Sequence, residues 1–282
     1  MTQVREFLNQ LAAHSAVLVT VQAHRGSVPR EEGAWMAVFA DCTLGTVGGG
    51  HLEWQAIHEA RARLRGAAGA AVVRYALGPT LGQCCGGEVH LRFEVVTAAR
   101  GPELQQRFDF AQRQWPHLAL FGGGHVGHAL VQVLARLPVQ VRWIDSRDGI
   151  FPSTPPDNVV CEYADPVQDA VASLAADSLV LIMSFSHAQD LDVVAACLQR
   201  QRALADLAMI GLIGSRTKWA KFRHRLEARG FSGQELEGVT CPIGVPGIAG
   251  KQPEVIAVAV AAQVLRVMQT AARVGTDLTK DT

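Results

Sequence analysis

The 282-residue chain predicts an α/β protein with a doubly wound parallel sheet in its C-terminal part and a smaller mixed α+β domain before it. Two observations carry that reading. From residue 117 onward, short apolar runs alternate with helical stretches, the order that yields a parallel sheet covered on both faces. Before that point, β-branched segments such as SAVLVTVQA are joined by turns and one long helix, as in a mixed layer.

The N-terminal elements follow in order. Residues 4–13 have amphipathic helical spacing, and residues 15–23 read as a strand. The turn HRGSVPREEG leads to a second strand, AWMAVFAD, at 34–41. A glycine-rich turn, GTVGGG, then opens the helix HLEWQAIHEARARLRG, which carries arginines in its last turns and Gly66 just beyond them. AAVVRYAL and EVHLRFEVV are two further strands. Between them GPTLGQCCGGE sets Cys84 and Cys85 side by side among glycines, where a structural cysteine would have aliphatic neighbours. This domain is expected to cover 1–97. The polar stretch 98–116 breaks the alternation and reads as a linker, leaving 117–282 for the C-terminal domain.

In that second domain HLALF, VQVRWID, NVVCEY, SLVLIMS and LAMIGLIG are the apolar strands. PEVIAVAVAAQVLRVMQTA is a long helix packed on the sheet or between domains, and GTDLTKDT is a frayed tail. Directly after HLALF, Gly122, Gly124 and Gly127 satisfy G-x-G-x-x-G at the mouth of a helix. The first glycine permits a tight turn, the second a close approach to phosphate, and the third close helix–strand packing. The helix N-terminus offers free N–H groups to an anion. Asp145, closing the next strand, stands at the spacing of an acid that accepts a ribose hydroxyl. The domain is therefore expected to be Rossmann-like.

Composition removes other classes. Lysine plus arginine number 26 and so do aspartate plus glutamate, so the charge footprint of a general nucleic-acid binder is missing. No apolar run reaches the roughly 20 residues that span a bilayer, and MTQVREFLNQL lacks the apolar core of a signal peptide. Cys42, Cys84, Cys85, Cys161, Cys197 and Cys241 show no framework spacing. The expectation is a cytoplasmic protein with reduced thiols and no nucleic-acid or membrane partner.

Fold and fingerprint do not fix chemistry. An NAD-dependent oxidoreductase would need an acid or base at the substrate carbonyl, and His187, with Asp190 three residues on, follows a strand where such sheets bind ligands. The alternative is a loop histidine that caps a helix or bonds a neighbour. Ser215, Arg216 and Lys218 stand where a helix begins and could hold an oxyanion, or be solvated. A nucleotide-sensing module without chemistry is a third reading.

Taken together, the stretches GSVPREEGAWMAVFADCTLGTVGGGHLE, LGPTLGQCCGG, LALFGGGHVGHALVQVLARL, WIDSRDGIFP, MIGLIGSRTK and CPIG resemble the xanthine dehydrogenase accessory proteins, XdhC-like and also grouped with CoxI. The resemblance runs through both domains. It implies a chaperone that binds the molybdenum cofactor, a molybdopterin carrying the metal on a dithiolene. Such a protein protects the cofactor while a cysteine desulfurase supplies its sulfido ligand, then inserts it into the molybdenum-binding subunit of an apo xanthine dehydrogenase. It implies no catalytic residue, and a homodimer as the assembly.

Carried onto this chain, the resemblance and the fingerprint place the cofactor on the loop Gly122, Gly123, Gly124, His125, Val126 and Gly127. Asp145, Ser146 and Arg147 follow the second strand, with His187, and Gly214, Ser215 and Arg216 beyond. Cys84 or Cys85 is expected near the molybdenum or as a sulfur acceptor, since a thiolate is the soft ligand such a centre prefers. Adjacent residues point apart in extended backbone, so one metal would not take both. The turn Gly48, Gly49, Gly50 is either a second anion cradle or a plain strand-to-helix turn. The chain departs from the family where His51 replaces a common cysteine after that turn, although Glu53 is kept. It departs again at Ser184 to Asp190, where only His187 and Asp190 match a T-H-x-H-x-x-D pattern, and after CPIG.

Overall fold

The computed structural model describes residues 2–77 and 87–278, so the loop with Cys84 and Cys85 lies outside the described residues. The chain forms two compact units, Met1–Ala111 and Gln112–Thr282.

The first unit is an antiparallel sheet with helices on both faces. Its centre is β1 (Ala16–Arg25), a run of small and β-branched residues covered on both sides. It pairs with β2 (Trp35–Val38) on one side and β5 (Glu88–Val96) on the other. The edges are β3 (Thr43–Gly45) beside β2, and β4 (Val72–Ala76) beside β5. Alternation along β1 sends Val17, Val19 and Val21 toward α2 (Gly50–Leu64), whose Leu52, Ala56 and Ala60 recur every four residues. Ala16 and Leu18 point the other way, into a cluster with Phe7 and Leu11 of α1 (Thr2–Leu11) and Leu104 of α3 (Gly101–Arg113).

The stretch expected to be a linker is therefore mostly a helix of this unit. A 3-10 turn at Ala98–Arg100 leads into α3. Leu104 is fully buried and Phe108, one turn on, packs edge-on against Phe7 at 6.1 Å. Leu104 and Phe108 are enough to anchor the helix, while its third large apolar side chain, Phe110, is exposed and blurs the helical period in the sequence. Strand β3 also went unread, because three residues cannot display a period.

The second unit holds six parallel strands: β6 (His117–Phe121), β7 (Gln140–Asp145), β8 (Val159–Tyr163), β9 (Ser178–Ile182), β10 (Leu207–Leu212) and β11 (Val239–Thr240). Their order is β11-β10-β9-β6-β7-β8. The chain winds outward from β6 to one edge, then restarts at β9 and winds to the other. That is the doubly wound Rossmann-like order, and the reversal between β6 and β9 opens a crevice at their carboxyl ends.

Leu118, Leu120, Leu179 and Leu181 meet α4 (His125–Leu134) and α8 (Pro253–Leu278) on one face. Ala119, Phe121, Val180 and Ile182 meet α5 (His187–Leu204), α6 (Arg216–Glu227) and α7 (Gly233–Glu237) on the other. The two-residue β11 was not foreseen, and α8 continues to Leu278, into the stretch expected to fray. Among the described residues, no helix is long and apolar enough to cross a membrane.

Candidate functional site

The loop between β6 and α4 uses its glycines for different ends. Gly122 has φ near 125°, and a Cβ there would fall 2.0 Å from the Met183 carbonyl oxygen. A Cβ on Gly127 would fall 2.2 Å from the Gly122 oxygen, which also accepts from Trp143 Nε1 at 3.0 Å. These two glycines serve close backbone packing. Gly124 differs: its φ of −76° suits any residue, and nothing lies within 4 Å of a Cβ built there. It is the N-cap of α4 and offers no side-chain cap. The first N–H groups of α4, at His125 and Val126, lie at the positive end of the helix dipole with no side-chain cap at Gly124. The His125 side chain is exposed, while Val126 packs toward the α8 face.

Asp145, 2 % exposed, ends β7 beside that loop. Its Oδ2 accepts from Gly123 N at 2.6 Å and from Arg147 Nη2 at 2.8 Å. Its Oδ1 accepts from Arg147 N and Arg147 Nε, both at 2.9 Å. A carboxylate presents about four acceptor positions, and all four are taken. In this structure the carboxylate ties the glycine loop to Arg147. Burial alone would raise its pKa, but the Arg147 guanidinium and the N–H groups of Gly123 and Arg147 outweigh that and hold it below the usual range. Arg147 in turn lies 4.8 Å over the ring of Phe185, which is 66 % exposed. Ser146 Oγ accepts from Gln189 Nε2 at 2.6 Å, tying the end of β7 to α5.

Further along the same edge, Ser186 caps α5 and Ser215 caps α6, each accepting from the backbone N–H three residues on. His187 is the exposed first residue of α5, with its ring edge-on to Phe222 at 6.2 Å. Arg216 is exposed at the start of α6, and Gly214 lies against the Lys218 stem. Lys218, which could have been solvated, instead donates to Asp190 Oδ2 at 2.6 Å and to the Ile213 carbonyl at 2.8 Å. Asp190 Oδ1 accepts from Ser184 N at 2.7 Å. The Ser184 hydroxyl oxygen is buried with no partner among the described residues.

Two family descriptions match the chain. "XdhC Rossmann domain" spans residues 118–264, and "XdhC and CoxI family" spans residues 10–76. The chain belongs to the XdhC and CoxI family. The uncharacterized protein YqeB of Escherichia coli (strain K12) is 29 % identical over 261 residues, 88 % of this XdhC-family chain and 42 % of YqeB. The chain therefore spans about two-fifths of that relative's length. A crystal structure described as a xanthine dehydrogenase from Bacillus halodurans matches with a TM-score of 0.73, covering 96 % of each chain at 19 % identity, and shares the fold.

In the N-terminal unit of this XdhC-family chain, the 26–33 turn, the GTVGGG turn and the described residues Leu77 and Gly87 lie at one end of the sheet. Leu77 N donates to the Gly87 oxygen at 2.7 Å, closing the base of the Cys84–Cys85 segment. A Cβ on Gly87 would fall 2.1 Å from the Ser27 oxygen, and one on Gly48 would fall 2.4 Å from Pro29 Cγ. The 26–33 turn thus touches both the GTVGGG turn and the base of the cysteine segment. Glu53 Oε2 accepts from Thr46 Oγ1, from Val47 N at 3.1 Å and from Gly49 N at 3.2 Å. Two of the turn's N–H groups, at Val47 and Gly49, are satisfied by the chain's own carboxylate and a third, at Gly48, by Thr46 Oγ1, which favours the plain turn over a second anion cradle.

Cys84 and Cys85 themselves lie outside the described residues. Among the described residues no group of three or more histidine, cysteine, aspartate or glutamate side chains is placed to hold a metal ion. Burial raises the thiol pKa of Cys42, Cys161 and Cys241, and pushes that of Cys197 up to about 12. Sequence reasoning did not single out Phe185 or Gln189 and gave no role to Ser184. Nor did it join Asp190 to Lys218, whose one signal was a cation on the first turn of α6.

Proposed function

We propose that this protein is a molybdenum-cofactor chaperone of xanthine dehydrogenase maturation. It holds molybdopterin while a cysteine desulfurase supplies sulfur, and delivers it to the molybdenum-binding subunit of an apo xanthine dehydrogenase. The observation that carries this is the side-chain-free Gly124 at the uncapped start of α4. Open space at a positive helix end suits the phosphate of a pterin cofactor. His125 and Val126 would hold that phosphate through their backbone N–H groups, with Arg147 beside them.

When bound, the cofactor brings the metal centre that the recipient enzyme uses for hydroxylation. The chain's own part is to bind and shield, acting as an accessory protein with no turnover of its own. The four described thiols are all shifted toward the neutral form, which favours Cys84 or Cys85 as the soft ligand or sulfur acceptor. Work in the cytoplasm and a homodimeric assembly belong to the same reading. NAD is the weaker reading, because Asp145 has no acceptor position left for a free ribose hydroxyl.

The test is retention and delivery. Purified full-length protein is incubated with molybdenum cofactor and passed over a sizing column. Pterin fluorescence after oxidation should co-elute with the protein, and the loaded protein should activate apo xanthine dehydrogenase. Retention of NAD without pterin would overturn the reading. Cys84→Ala or Cys85→Ala should reduce delivery while the far-UV circular dichroism stays unchanged. Full activation by both variants removes the thiols from the mechanism.

A further inference from the structure

We infer that the Asp145–Arg147 pair makes the crevice of the second unit selective for a phosphomonoester over a free ribose diol, with Arg147 the contact and Asp145 a positioning residue. This rests on the reading of the crevice as an anion site. In crevices of this kind an acid at the end of the second strand accepts the ribose hydroxyls, whereas a nearby arginine suits a phosphorylated ribose. Here four donors already fill the Asp145 carboxylate. A diol could bind only by displacing Gly123 N or an Arg147 N–H, and the displaced donor then loses its acceptor.

Arg147 is in the opposite state. Its Nε and Nη2 face Asp145, and Phe185 lies beneath its guanidinium carbon, so the group is held on one edge and one face. No described residue accepts from Nη1, and the side chain is 31 % exposed. A pre-oriented guanidinium with one free edge recognises a tetrahedral dianion better than a neutral hydroxyl. Asp145 Oδ2 takes Gly123 N and Arg147 Nη2 together, so the cation stands next to the open loop at Gly124. A further sign is the Ser184 hydroxyl, buried without a partner in a residue whose backbone nitrogen is 3.1 Å from a Cβ built on Gly122. A buried hydroxyl without a protein partner is completed by an ordered water, an ion or a ligand atom.

The phosphomonoester could belong to a pterin tail or to a 2′-phosphorylated dinucleotide. Calorimetric titration of the full chain with two matched pairs separates them: a pterin bearing an alkyl phosphate against its dephosphorylated form, and NADP against NAD. At least one pair should favour the phosphorylated member by about tenfold or more, the scale of a charge-assisted contact. Arg147→Gln should erase that preference, Arg147→Lys should keep part of it, and Asp145→Asn should weaken it with Arg147 in place. Circular dichroism checks folding, and the Arg147 variants decide alone if Asp145→Asn misfolds. A preference in the pterin pair supports both this inference and the chaperone reading. A preference in the dinucleotide pair alone supports this inference and rejects the pterin. Pterin binding indifferent to phosphate, with no preference in the dinucleotide pair, keeps the chaperone reading and overturns this inference. Equal binding within both pairs, no binding at all, or a preference that survives Arg147→Gln also overturns it.

Discussion

Lys218 Nζ donates to Asp190 Oδ2 at 2.6 Å, in a setting where the two side chains are 12 % and 3 % exposed. The pair links the start of α6 to the start of α5, and through Ser184 N to the end of β9. Removing one member of a buried ion pair leaves an uncompensated charge and costs about 3–5 kcal/mol. Asp190→Asn and Lys218→Met should each lower unfolding stability on that scale. The double variant should lose clearly less than the sum of the two. Urea unfolding of all four proteins gives the coupling directly, and strictly additive losses would contradict the pairing.

Gly122 and Gly124 should respond in opposite ways. A side chain at Gly122 meets the Met183 backbone at a positive φ, so Gly122→Ala should cost on the order of 3 kcal/mol. Gly124→Val meets nothing in the protein and should leave the melting temperature within about 2 °C while abolishing pterin retention. Thermal melts together with the retention assay distinguish them. Retention by a folded Gly124→Val protein would remove this loop from the site.

Asp145 should make stability depend on acid. Its folded pKa lies below the value of about 3.9 for an unfolded chain. Its contribution is therefore complete above that unfolded value and disappears as pH falls through the lower folded one. Asp145→Asn should be less stable than the parent at pH 7, and the gap should narrow from about pH 4 downward. A gap that stays constant to pH 2 would show that the carboxylate charge is not what the site uses.

The apolar runs from HLALF to LAMIGLIG correspond to β6, β7, β8, β9 and β10; most of these strands are buried on both faces and need no partner to be recognised, while β8, at the edge, is marked by its valines. The glycine triplet was readable for a similar reason, since its strand, turn and helix are contiguous. Helix α3 was not readable, because Leu104 and Phe108 acquire meaning only against Phe7 and Leu11 of a distant helix. Strands β3 and β11 were too short to display a period, and they exist because β2 and β10 lie ready to pair with them.

By itself the sequence determined the doubly wound unit, the mixed sheet before it, the glycine-rich turn between β6 and α4 and the family, all encoded in spacing along the chain. Only the tertiary structure decided what the side chains at the crevice do. Asp145 meets Gly123 across 22 residues, Ser146 meets Gln189 across 43, and Asp190 meets Lys218 across 28. A local pattern can mark a residue type as acid, hydroxyl or cation. Whether that group is open to a ligand or already satisfied depends on donors and acceptors that the sheet order brings together from separate crossovers.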